Sequence, residues 1–149
     1  MTLVEQVSSL RRGIHRLMNR RLNAQTRRPI QQLVALKVIA LGEVRSQVEL
    51  AERLSIDAPA ASRLVDRLVE DGMVTRCAGE NRRCVKLQAT HSVWPEVEVL
   101  GEAARRVDEE LSRHLSAEEM SELRRLLDKV LAALAQNTAV PEKQVGSER

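Results

Sequence analysis

Val48 to Arg76 reads VELAERLSIDAPAASRLVDRLVEDGMVTR, and after three more residues Glu80 to Thr90 reads ENRRCVKLQAT. The hydrophobic period changes inside this stretch. Just upstream, Ser46-Gln47-Val48-Glu49 has the spacing of a capping box, in which the serine caps a backbone N–H and the glutamate reaches back. It predicts a short helix to about Leu54. Ser55-Ile56-Asp57 is a turn, and Asp57 with Pro59 starts a second helix that buries Ala61, Leu64, Val65 and Leu68. Gly72 stands where a C′ glycine ends a helix. MVTRC and RCVKLQAT then alternate as strands do, joined by the short loop AGENR. Helix, tight turn, helix and basic hairpin follow in the order of a winged helix-turn-helix.

On either side the pattern is helical. Val7, Leu10, Ile14, Leu17 and Met18 recur at three- and four-residue spacing, which predicts a helix over residues 3–24. Pro29 opens a second helix at its first turn, running to Gly42 and apolar on most sides, as a central helix is. Val97, Leu100, Ala104, Val107 and Leu111 form a stripe on a long helix. Ser116-Ala117-Glu118-Glu119 is another capping box, and Met120, Leu123, Leu127, Val130 and Leu134 continue the stripe on a last helix. Two such stripes pack on each other or on a second copy of the chain. Residues 137–149 are polar and read as a disordered tail. The expected fold is therefore mostly α with a small β-hairpin, and no internal repeat interrupts it.

Composition narrows the function. With Trp94 as the only aromatic among 149 residues, the core is aliphatic. The longest apolar run, Leu33 to Leu41, is interrupted by Lys37 and is too short to span a bilayer, so no membrane role is expected. The N-terminus lacks the features of an export signal, which points to the cytoplasm and to reduced thiols. Net charge is only +3, but residues 6–42 carry seven arginines and a lysine with no acid. Such a helix attracts polyanions, although surface arginines are commonly just solvated.

No constellation supports catalysis. His15, His91 and His114 are scattered, Cys77 and Cys84 supply two of the four ligands that structural zinc needs, and no nucleophile elbow or phosphate loop occurs. Neither an enzyme, a metal site nor a cofactor is expected. Trp94, beside Pro95, reads as a packing residue, and Asp66 and Glu70 as a solvated face or as partners for Arg63 and Arg67.

The quoted stretch resembles the MarR family of bacterial transcriptional regulators, and the similarity of layout runs from the first helix to the final helical pair. The resemblance implies one domain over residues 1–136. Residues 30–90 would form the DNA-binding lobe, and residues 1–28 and 92–136 the dimerisation helices. It further implies a homodimer on a pseudo-palindromic operator in double-stranded DNA, with repression relieved by a small ligand or an oxidant. Many members respond to small aromatic acids, whereas this chain has no Phe or Tyr to sandwich one. The DNA-facing set is Ser46 and Gln47 at the first helix of the motif, Pro59, Ala60, Ser62, Arg63 and Arg67 on the second, and Asn81, Arg82 and Arg83 at the hairpin tip. The family usually has an acidic residue where Asn81 stands and a glycine where Val93 stands.

Cys77 and Cys84 admit two readings. Facing each other across the hairpin, activated by Arg76, Arg82 and Arg83, they would form a redox pair. Otherwise they are small, inert strand residues. A winged-helix module that docks proteins and has lost DNA binding is the alternative function. Arg63, Arg67, Arg82 and Arg83 distinguish this chain from the neutral or acidic recognition face such a module would carry.

Overall fold

A computed structural model describes residues 1–78 and 85–138. Along the chain it runs α1 (Leu3–Asn23), α2 (Ile30–Ala40), α3 (Gln47–Leu54), α4 (Ala58–Glu70), β1 (Val74–Ala78), β2 (Val85–Ala89), α5 (Val93–Ser112) and α6 (Ala117–Thr138). Residues 1–107 form one compact unit apart from those left undescribed, and the described residues from Asp108 onward form another.

The core of the first unit is built around α2. Leu33, Ala35, Leu36, Val38 and Ile39 are all buried there, which is why that helix has no polar residues beyond Gln31, Gln32 and Lys37. Leu50 of α3, Leu64, Val65 and Leu68 of α4, Val74 of β1, Leu87 of β2 and Val93 of α5 complete the cluster. α4 thus contributes one apolar stripe to the core and leaves the opposite face outside.

The strands pair antiparallel, with Val74 opposite Ala89 and Cys77 opposite Lys86. The pleat sends Val74 and Leu87 into the core and leaves Thr75, Lys86 and Gln88 exposed on the other face. Leu87 N–H also donates to Arg45 O at 2.8 Å, which holds the segment before α3 against the hairpin's second strand.

The helix ends follow sequence logic with local differences. Asp57 caps α4, its Oδ1 accepting from Ala60 N–H at 2.7 Å. Gly72 takes φ +72°, a left-handed conformation that glycine adopts without a Cβ clash. Ser55, between α3 and α4, adopts the same region at φ 54°. Ser46 caps α3, but Glu49 reaches back to Arg45 N–H at 2.7 Å instead of to the N-cap residue's own N–H. The box at Ser116 closes in both directions. A third box, Thr2 with Glu5, was not recognised in the sequence. Pro29 sits at the N-cap of α2, one position before the first turn.

One stripe needs correction. On α5 the buried residues are Val93, Leu100, Ala103 and Val107, with Ala104 exposed, because four-residue steps drift off a 3.6-residue helix face. On α6, Leu123, Leu127, Val130 and Leu134 are 39–56% exposed. Leu3, Val4, Val7 and Leu10 at the start of α1 are likewise 44–75% exposed.

Candidate nucleic-acid interface

The outward face of α4 begins with Pro59 (exposed) and Ala60 (half-buried), and continues through Ser62 (half-buried) to the exposed Arg63 and Arg67. The Asp57 cap fixes the helix start from which these side chains project, and Ala61, Leu64, Val65 and Leu68 fix its rotation. Small residues at the first turn allow close approach to the backbone N–H groups there, where the helix dipole is positive. Arg63 has no ion-pair partner among the described residues and is free to engage an anion or a base edge. Arg67 lies with its Nε 3.6 Å from Asp71 Oδ2.

At the flank, Arg76 of β1 crosses to the helices. Its Nη2 lies 2.6 Å from Asp66 Oδ1 and 3.0 Å from Gln47 Oε1. One guanidinium therefore ties the hairpin to α3 and α4 together, using the two-pronged geometry that distinguishes arginine from lysine. Asp66 was expected either to be solvated or to pair with Arg63 or Arg67. It pairs with Arg76 instead, because the hairpin folds back over that side of α4. Ser46, assigned to DNA by sequence, spends its hydroxyl oxygen on the α3 cap. Gln47 accepts from Arg76 and keeps its amide N–H groups for another acceptor.

In the strand register Lys86 stands opposite Cys77. Cys77 Sγ–H donates to Gln88 Oε1 at 3.2 Å. Arg76, expected to favour the thiolate, is one residue along the pleat and is bound to Asp66 and Gln47 on the other side. Asn81, Arg82, Arg83 and Cys84 lie outside the described residues.

Sequence reasoning missed a groove of about 550 Å³. Gly42, Arg45, Lys86, His91 and Trp94 are among the residues that line it. Trp94 is 48% exposed there, so it is not the packing residue its position beside Pro95 suggested. Only the third dimension joins the segment before α3 to β2 and the start of α5.

Residues 26–83 match the profile of the MarR family. That match spans the helix-turn-helix and both of its flanks, and the folded chain agrees beyond it. Wild-type MarR from E. coli in its apo form is 29% identical, with 88% of this chain and 98% of that chain aligned at a TM-score of 0.77. The chain carries a MarR-family match over its central residues and has a MarR-like winged-helix fold. A second MarR structure, a mutant from E. coli complexed with operator DNA, is 29% identical, covering 87% and 93% of the two chains at a TM-score of 0.72. The transcriptional regulator BldR from Sulfolobus solfataricus is 26% identical over 88% and 93%, at 0.73. As a MarR-family fold, the architecture is that of DNA-binding transcriptional regulators. No described helix is long and apolar enough to cross a membrane.

Proposed function

We propose that this chain is a homodimeric transcriptional repressor that binds a pseudo-palindromic operator and releases it when a small ligand binds. The carrying observation is the outward face of α4: a capped helix whose apolar side is locked into the core and whose other side offers Ser62, Arg63 and Arg67. A recognition helix placed this way enters the major groove by its first turns, while the preceding helix braces the backbone. In this reading Pro59 and Ala60 let the helix approach closely, and Arg63 contacts a base edge. Arg67, Arg82, Arg83 and Gln47 bind phosphates, and Ser46 and Asn81 lie at the rim.

The similarity to an operator-bound MarR supports duplex DNA as the partner. The apolar residues exposed on α1 and α6 support a second copy as the other partner, since two scattered leucines are ordinary but a repeated stripe is a surface awaiting cover. Residues 1–28 and 92–136 would supply that dimer region, and residues 30–90 the DNA lobe. Release is assigned to a small ligand; the strand partner of Cys77 is Lys86. Cytoplasmic residence follows from the same role.

The test is footprinting of the purified chain on the DNA upstream of its own coding sequence. Two protected half-sites about one helical turn apart, ~34 Å, are expected. A chain that protects no duplex from any source under low salt overturns the reading.

A further inference from the structure

Arg28, between α1 and α2, is the most buried arginine with a described network, its side chain only 13% exposed. Its Nη1 donates to Gln32 Oε1 at 3.0 Å and to Asp71 Oδ2 at 2.8 Å. Its Nε is buried without a hydrogen-bond partner, and Glu96 Oε2 of α5 lies 3.8 Å from it. Four segments thus meet on one guanidinium: the loop before α2, α2 itself, the C-cap of α4 and the first turns of α5. The oxygen that Arg28 holds, Asp71 Oδ2, is also the oxygen 3.6 Å from Arg67 Nε.

Asp71 is the C-cap of α4, where the helix dipole is negative and a carboxylate is unfavourable unless a cation faces it. Two arginines compete for that duty. Arg28 is the nearer and the more buried, and the fold fixes its side chain. Arg67 is 63% exposed, one helical turn away, and only in ion-pair range.

We propose that Arg28 is a positioning residue for DNA binding: by occupying Asp71 it keeps the recognition-helix Arg67 available for phosphate. This rests on the DNA-binding reading above. Without Arg28, Asp71 has one ion-pair partner left among the described residues, and Arg67 closes from 3.6 Å to a full hydrogen bond along its own helix. It is then withdrawn from the nucleic acid. The contact is made through an acidic residue, so removing that acid reverses the effect, which distinguishes positioning from loss of fold.

The experiment measures binding of a mixed-sequence 30-bp duplex by the full chain across a salt series. The variants are Arg28→Met, Arg67→Ala, their double, and Arg28→Met with Asp71→Asn, each checked for native circular dichroism. Arg28→Met is expected to weaken binding about tenfold and to flatten the salt slope by about one per lobe, as for a lost phosphate contact. Arg67→Ala should do the same, and adding Arg28→Met to it should change nothing more. Adding Asp71→Asn to Arg28→Met should restore the slope. If Arg28→Met does not fold, the Asp71→Asn single variant carries the test. It should bind at least as tightly as wild type, and this gain should vanish in the Arg67→Ala background. A wild-type chain that binds while Arg28→Met binds equally well overturns the proposal, as does an Arg28→Met loss that persists in full without Arg67. A wild-type chain that leaves the duplex unbound overturns the DNA-binding reading and this proposal with it.

Discussion

Replacing Asp57 separates two things that one carboxylate does at the start of the recognition helix. Its Oδ1 accepts from Ala60 N–H at 2.7 Å, satisfying one of the N–H groups that α4 leaves without an internal partner. Asp57→Ala removes that bond and should cost ~1 kcal/mol, within the ~0.5–2 kcal/mol span of cap deletions. For a chain of this size the melting temperature should fall by ~2–4 °C. Asp57→Asn keeps an oxygen at the cap and loses only the interaction of charge with helix dipole, ~0.3–1 kcal/mol for an exposed residue. On DNA the two variants should converge, because both delete a negative charge beside the helix end proposed to approach phosphates. Both should raise affinity for random duplex and steepen its salt dependence. Urea denaturation followed by circular dichroism gives the first comparison, and fluorescence anisotropy with a labelled duplex gives the second. An asparagine variant as destabilised as the alanine one would show that charge, and not the hydrogen bond, holds the helix start. Unchanged DNA binding in both would place this end of α4 away from the phosphates.

Three further outcomes follow from other parts of the molecule. Leu127→Glu, on the exposed stripe of α6, should convert a dimer to a monomer in multi-angle light scattering with its helical content intact; a wild-type chain that is already monomeric at micromolar concentration refutes the proposed assembly. Ser55→Gly should stabilise by ~0.5 kcal/mol in urea melts, since relief of a left-handed residue's ~1–2 kcal/mol exceeds the ~0.4–1 kcal/mol that glycine adds to unfolded-chain entropy. The hydrogen bond from Thr2 N–H, and after it the one from the Thr2 hydroxyl, holds the Glu5 carboxyl below its ordinary range. A carboxyl lowered in the folded state supports that state above its unfolded pKa and loses the support as pH falls through the folded value. Protection of the first-turn amides of α1, taken relative to intrinsic exchange at each pH, should therefore fall on acidification below the ordinary glutamate range, and Glu5→Gln should abolish that dependence.

The parts of the fold legible in sequence were those set by local chemistry. The α3–turn–α4 unit announced itself through Ser46, Asp57, Pro59 and Gly72, each of which acts on backbone atoms within four residues. Burial of α4 followed from a period that any helix obeys. Where the stripe was chosen by four-residue steps alone, as at Ala104, the true face lay one residue away. The α1 capping box follows the same local rule, with Thr2 at the N-cap and Glu5 three residues on.

Side-chain partnership across elements was not legible, and Asp66 shows why. Spacing along α4 puts Arg63 and Arg67 three and one residues away, so a one-dimensional reading supplies partners from the same helix. The hairpin returns over α4 with Val74 and Leu87 pinned in the core, and that pinning, not charge, carries Arg76 to within 2.6 Å of Asp66. The same constraint decides the cysteines. A spacing of seven residues in Cys77 and Cys84 suggested opposition, but apolar burial fixed the register, and the register gave Cys77 a lysine. Arg28 follows the rule as well: its place among seven N-terminal arginines made it look like one more surface charge, and only the convergence of α2, α4 and α5 makes it a buried hub. Hydrophobic pattern places the backbone, and the placed backbone then assigns charges to each other. The charges proposed to tune DNA binding are thus the ones whose partners sequence spacing names wrongly.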